Sequence, residues 1–463
     1  MIRTTALITM VVGAVLATVS FAADPTPAAK PMIAKICTNC HKAEAGVLRG
    51  YFDNVAFKAK TIQMKIDDAT VLVKFDEDDI KVLTADGKAT DGDALHKTKQ
   101  GKEIKVEYTE QDGIKTAVRL VEKPPVKISP EMLISTAEVE KLVALGPEKG
   151  KYFLFDSRPE SRFQEGAIPT AVNLPFAAFD AMTGKLPADK TARIIFYCSG
   201  ITCSMSPGSA EKAKKLGYTN IKIYRNGIPG WSEKNATILS AQSFKEAWLD
   251  KDIPHVLLDV RTVKVAAKRF IKGAVSFPEA KAAKLIKTLP PNDKKPPVII
   301  YDAKTGKQAA KVAKALLAAG YGNIKILTGG FDAWEAAKYP SATGTLATKA
   351  AYAPKPRPGE ISPDEFKKYA DKLPVTAMII DVRNTDEVAK SGTLKNAVNI
   401  PEEELKAKAA QIPKNKLIIT LCATGVRAEM GYHFLRELGY TNVRFLNAKT
   451  DFNKDGTYTS TKD

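Results

Sequence analysis

Apolar and polar positions change rhythm several times along the chain. An uncharged, mostly apolar run from Ala6 to Val19 follows Arg3 and ends at Ser20-Phe21-Ala22. A basic start, an apolar centre and small residues before a cut site make an export signal over 1–22, with cleavage after Ala22. The run is too short for a comfortable transmembrane helix. No cysteine follows the cut site to carry a lipid anchor. Left uncleaved, the segment would tether the chain to the inner membrane; no other stretch is apolar enough to span one. After a Pro/Ala-rich lead-in, short strand patterns fill 51–123: Val55 to Ile66, Val71 to Phe75, Ile80 to Thr84, Glu103 to Tyr108 and Lys115 to Val121. Asp86-Gly87, Asp91-Gly92 and Asp112-Gly113 mark turns between them, which predicts a small barrel or sandwich.

From Pro124-Pro125 onward the pattern repeats three times: an apolar strand ending in Asp-x-Arg, a helical stretch, a strand ending in Pro, a third strand with its loop, a helix and a Gly-Tyr turn. The first strands are YFLFDSR, VLLDVR and MIIDVR, and the third strands with their loops are RIIFYCSGITC, VIIYDAKTG and LIITLCATGVRA. Strands alternating with helices predict parallel α/β units, and this period predicts tandem domains. Their expected bounds are 128–238, 239–342 and 360–453, with a linker rich in Ala, Pro, Thr and Lys from Gly344 to Gly359.

Hydrophobic residues make up 44% of the chain and charged residues 26%, ordinary for globular domains. The net charge of +18 is mostly lysine. A basic balance raises nucleic acid as a partner, but an exported chain meets none. Acidic proteins or small anions are the expected partners, beside the plain reading of a solvated Lys-rich surface. The five cysteines are odd in number and sparse, so they form no disulfide framework; each sits in a motif.

Cys37-Thr38-Asn39-Cys40-His41, in segment 23–50, has the spacing of c-type haem attachment. Two thiols add to the haem vinyl groups and the adjacent imidazole of His41 ligates the iron. The competing readings are a CxxC redox pair or half a zinc site. One haem c is expected. His96, Met64 and Met32 are candidate distal ligands, with core packing the competing role for Met64, simple exposure for His96, and a five-coordinate iron as a further option.

The repeats resemble rhodanese (sulfurtransferase) domains over roughly 130–450. The resemblance rests on the Asp-x-Arg strand, the strand ending in Pro, the strand-tip loop and the Gly-Gly-x-x-x-Trp ending. That ending reads Gly329-Gly330-Phe-Asp-Ala-Trp334 in the second repeat, Asn226-Gly227-Ile-Pro-Gly-Trp231 in the first, and departs to Asn447-Ala448-Lys-Thr-Asp-Phe452 in the third, whose closing helix is expected to shorten. The resemblance implies that a cysteine thiolate takes sulfane sulfur from a thiosulfate-like donor as a persulfide and hands it to a thiol or cyanide. Cys422 to Ala428 matches the family's C-x-x-G-x-R-[SA] loop, with Arg427 a fixed positive charge. The C-x4-R spacing differs from the C-x5-R of related phosphatases. A buried structural cysteine is the competing role.

In the first repeat Cys198 aligns with Cys422, but its loop is about two residues longer and holds Cys203 and no arginine. That C-x4-C loop has four open readings: a disulfide, Cys203 resolving a persulfide on Cys198, weak metal binding, or an inert variant. In the second repeat Asp302 stands at the nucleophile position, so the domain is expected to be inactive, a scaffold or docking unit, with Lys304 and Lys307 beside the loop. Asp156, Asp259 and Asp381 are expected to pair with an arginine or cap a turn. Arg158, Arg261 and Arg383 either border the site mouth or pair at the surface. Trp231, Trp334, His255 and His433 read as packing or incidental residues. The expectation is a periplasmic, haem-containing sulfurtransferase using sulfur anions and thiol acceptors, and possible cytochrome partners. The alternative is a non-enzymatic cytochrome or scaffold whose repeats bind partners or sulfur anions.

Overall fold

The computed structural model describes residues 32–39, 41–291 and 296–462. The export signal and Cys40 lie outside the described residues. Strands β1 (Val47–Ala56), β2 (Thr61–Ile66), β3 (Ala69–Phe75), β4 (Lys81–Leu83), β5 (Ala89–Thr90), β6 (Glu103–Gln111) and β7 (Ile114–Glu122) form one sheet in the order β3-β2-β1-β6-β7-β4-β5. Parallel pairing of Lys74 with Thr116 and Phe75 with Ala117 joins β3 to β7 and closes it into a barrel. The ring consists of β3, β2, β1, β6 and β7, whose mutual edges closure removes, with β4 and the short β5 appended beside β7. The interior is filled by residues such as Phe52, Ile62, Val73, Val106 and Leu120.

Two expectations change here. The run from Val55 to Ile66 is not one strand: the chain turns through Phe57–Ala59, with Lys60 left-handed at φ 46°. Apolar alternation hides this turn because Ala59 is itself buried. The segment around Cys37 is not separate from the barrel either. Ile33 bridges to Arg49, and Ala34 and Cys37 are buried in the barrel core.

Each repeat carries a parallel sheet. The first orders its strands Ile221–Tyr224, Arg193–Tyr197, Tyr152–Asp156, Val172–Asn173. In the second the order is Thr237–Leu239, Ile324–Leu327, Val298–Tyr301, Val256–Asp259, Val275–Ser276. The third runs Glu360–Ile361, Val443–Leu446, Leu417–Leu421, Ala377–Asp381, Ala397–Asn399. The central strands are continuous apolar runs because helices cover both faces; Val256–Asp259 and Val298–Tyr301 are buried at every position. Among the described residues no helix is long and apolar enough to cross a membrane.

The Asp-x-Arg motifs are buried ion pairs within the motif. Arg158 donates from Nε to Asp156 at 3.0 Å and from its terminal nitrogen at 2.6 Å, and Arg261 and Arg383 hold Asp259 and Asp381 the same way. The three arginines are buried, so they neither line a mouth nor pair at the surface. Each also donates to a backbone carbonyl: Gly166, Arg269 or Gly392. The pair thus pins the loop after the first strand. Trp231 and Trp334 close the first two domains, each donating its indole N–H to a carbonyl at 3.0 Å. His255 rests edge-on against Phe244 and Trp248, and His433 lies beside Glu429. In the third domain a hairpin of Lys449–Phe452 and Tyr458–Thr461 stands where the others place the closing helix.

The barrel packs on the third domain. Ala56 and Ala59 cover Met430, and Lys58 pairs with Glu387 at 3.0 Å. Lys74 pairs with the buried Glu402, which also accepts from Thr61 at 3.3 Å.

Candidate functional site

The three strand-tip loops are one device with different occupants. In the second domain the buried Asp302 carboxylate accepts backbone N–H groups from Gly306 at 3.0 Å, Gln308 at 3.1 Å and Ala309 at 3.5 Å. The loop is therefore an anion nest at the start of helix Lys307–Ala318, with its positive dipole end adding to the amides. Here the protein fills the nest with its own carboxylate. Lys304 and Lys307 are exposed, a solvated rim. Gly330 is required behind this loop, since a Cβ there would strike the Asp302 carbonyl.

In the third domain Cys422 occupies the corresponding place at the end of Leu417–Leu421. Its Sγ accepts the Ala428 N–H at 3.4 Å, at the start of helix Val426–Glu437. Gly425 makes the turn at φ 84°, a conformation that side chains disfavour. Thr450 of the hairpin donates its N–H to Ala423 at 2.8 Å, so the hairpin braces this loop. Cys422 is fully buried, while Thr424 at the loop tip is exposed.

Arg427 is not a free cation. It grips Glu387 through two hydrogen bonds of 2.5 and 3.0 Å and reaches Asn384 Oδ1 at 3.2 Å. Burial raises the Glu387 pKa, but Arg427 and Lys58 outweigh it and hold the carboxyl down at about 2. A depressed carboxyl stabilises the fold fully above its unfolded value of 4.5 and loses that contribution as pH falls toward about 2. Thermal melting over that window should therefore fall more steeply for wild type than for Glu387→Gln. Equal slopes would contradict the assignment.

In the first domain the two thiols differ in burial. Cys198 is buried, with Sγ 3.0 Å from Ser206 Oγ and 3.6 Å from the Cys203 carbonyl. Burial pushes its thiol well above the usual range. Cys203 is only partly buried; the hydrogen bond from Cys198, against burial and helped by the amides of Ser199 and Met205, brings its pKa down to about 7. Cys203 is the more accessible thiol: the longer loop places it on the lining of a cavity while Cys198 keeps the buried strand-tip place. Both are free thiols.

That cavity, about 600 Å³, lies between the barrel and the first domain. Cys37, His41 and Tyr51 line it from the barrel side, and Ile201, Cys203 and Met205 from the loop side. The Cys37 thiol donates to Glu103 at 3.5 Å, and burial with Glu103 pushes it up to about 12. Burial, Arg49 and Lys123 lower the His41 pKa. A thiol and an imidazole opening on a cavity within the usual cofactor range of roughly 300–1,000 Å³ suit a covalently held haem. Met64 and His96 do not line it. Met64 is wholly buried in the barrel core, and exposed His96 stacks on Phe57 with ring centroids 3.6 Å apart. Met32 is half-buried against the same core.

The model of the rhodanese-like domain matches at 136–234, 240–337 and 362–448, more than half of the chain. The chain belongs to the rhodanese-like domain family. A rhodanese domain-containing protein of Drosophila melanogaster is 30% identical over 19% of this chain and 88% of its own length. An HTH-type transcriptional regulator of Mycobacterium tuberculosis is 33% identical over 22% of this chain, and an adenylyltransferase and sulfurtransferase of Candida albicans 34% identical over 18%. The matched stretches span 42% and 20% of those two relatives, well under two thirds of either. A thiosulfate sulfurtransferase from Pseudomonas aeruginosa shares 19% identity over 71% of this chain and 69% of that one, at a TM-score of 0.21. Sequence reasoning missed Glu387, Glu402, Tyr51 and Glu103. For the glutamates the signal was charge and for Tyr51 there was none, since their partners are distant in the chain.

Proposed function

We propose that this rhodanese-family chain is an exported, periplasmic, haem-carrying sulfurtransferase whose sulfur-bearing nucleophile is Cys422. One observation carries the reading: the Cys422 sulfur stands where Asp302 stands in the second domain and accepts the Ala428 N–H, the counterpart of the Gln308 N–H that Asp302 accepts. A loop that satisfies an anion in one domain stabilises a thiolate and a persulfide anion in another, without a separate general base. The relative named as a sulfurtransferase supports the same reaction class.

The Cys422 thiolate attacks the sulfane sulfur of a thiosulfate-like donor. The donor's S–S bond breaks and sulfite leaves with the bonding pair, placing a persulfide on Cys422. An acceptor thiolate or cyanide then attacks the outer sulfur and returns the thiolate. Arg427 positions the loop through Glu387 rather than meeting the substrate. The second domain, self-filled by Asp302, is a spacer. Cys37 and Cys40 would hold the haem by thioether bonds, with His41 as iron ligand and Lys102 and Lys123 near enough to the cavity to meet its carboxylates. Bound there, the haem supplies one-electron transfer.

The test is the purified protein exported from a host that attaches c-type haem. We expect a haem-stained band under denaturing conditions, lost in Cys37→Ala, and thiocyanate formed from thiosulfate and cyanide. A haem-free band would refute the haem reading; absent thiocyanate and absent sulfur loading would refute the transferase reading. A non-enzymatic carrier would show the first result without the second.

A further inference from the structure

We propose that the cavity between the barrel and the first rhodanese-like domain is a composite site in which Cys203 and the haem held at Cys37 share one chamber, with a small anionic sulfur compound as its ligand. This rests on the haem reading above and adds to it a second sulfur centre, distinct from Cys422.

Three observations carry it. Cys37 and His41 reach the cavity from one side and Cys203 from the other, although 162 positions separate His41 from Cys203. The wall between them is shared: Tyr51, Lys102 and Glu103 of the barrel and Thr136, Asn226 and Pro229 of the first domain line the same cavity. The loop is bonded to the segment that leaves the barrel after β7, with Val126 donating its N–H to the Ile201 carbonyl at 2.9 Å. That bond ties the Cys203 loop to the connection between barrel and first domain.

The chemistry of the lining selects the ligand. On the wall Lys102, Lys123 and Lys234 outnumber Glu103 and Glu233, and among the described residues Lys234 has no carboxylate partner. Lys123 is bonded to Glu103 at 2.7 Å, and the hydrogen bond from Cys198 lowers the Cys203 thiol. Ile201, Met205 and Pro229 supply apolar contact. A compact anion with a polarisable sulfur fits such a mixed wall, and a persulfide on Cys203 would be held by the same groups. The two-residue extension of the first loop has its explanation here: it places a second thiol on the lining of the chamber.

The experiment uses the holoprotein with its haem content first measured by haem stain. Cys203 is alkylated with N-ethylmaleimide, and the modified residue is confirmed by peptide mapping. We expect alkylation to shift the haem absorption maximum and midpoint potential in wild type and to shift neither in Cys203→Ser. We also expect Cys203 to react about tenfold more slowly in haem-loaded protein than in haem-free Cys40→Ala, because reactivity follows access as well as ionisation. Thiosulfate should slow the wild-type reaction further. Haem present with an unmoved spectrum and potential would overturn this proposal alone. Haem absent would overturn it together with the haem reading, so the two failures are distinguishable. If Cys40→Ala does not fold, the spectral comparison between wild type and Cys203→Ser decides the question.

Discussion

Cys422→Ser lowers thiosulfate-to-cyanide sulfur transfer by about a hundredfold or more. Serine keeps the volume and still accepts the Ala428 N–H, so the third domain stays folded. What is lost is a polarisable anion that can carry a second sulfur: a hydroxyl does not ionise near neutrality and forms no persulfide. The control is Asp302→Ser in the second domain. That change removes the acceptor of three backbone N–H groups and costs stability, but turnover stays within about twofold, since Asp302 fills its own nest and meets no substrate. Steady-state thiocyanate formation checks both. Equal losses in the two variants would mean that the assay reads folding and not chemistry.

Lys74→Met destabilises the protein by about 3–5 kcal/mol, the usual cost of stripping the partner from a buried charge. Glu402 is 2% exposed. Lys74 reaches it from the barrel, and among the described residues its other carboxylate oxygen has no partner. Without Lys74 only the Thr61 hydroxyl remains, at 3.3 Å. The methionine stem preserves the packing of the lysine methylenes, so the loss reports charge and not volume. Adding Glu402→Gln should restore most of the stability, because a neutral amide is far cheaper to bury than an unpaired carboxylate. Denaturant unfolding of the two single variants and the double variant checks this. The same contact seats the barrel on the third domain, beside the helix that begins at the Cys422 loop, so the loosened variant should also expose Met430 to oxidation.

The three α/β domains were legible in the sequence because each central strand is an unbroken apolar run ending in a chemical mark, as in VLLDVR and MIIDVR. Only full burial between helical layers produces that pattern. The strand-tip chemistry was legible for the same reason: the nucleophile position follows the run directly. The barrel was less so. Its alternation continues through the turn at Phe57–Ala59, and closure depends on pairing of Lys74 with Thr116, which no local pattern announces. The partner of Arg427 was not legible because Glu387 lies 40 positions away. The exposure of Cys203 was not legible, because alignment gives position along the strand and not which sulfur the fold buries. The cavity joining Cys37 to Cys203 lay wholly beyond sequence, since packing between domains creates it.

The central claim is that the Cys422 nest carries sulfur. Its most direct test is peptide mapping by mass spectrometry after the protein is incubated with thiosulfate and freed of excess donor. The account predicts one added sulfur atom on the Cys422 peptide, removed by cyanide and absent in Cys422→Ser. An unmodified Cys422 peptide in a protein that still forms thiocyanate would contradict it.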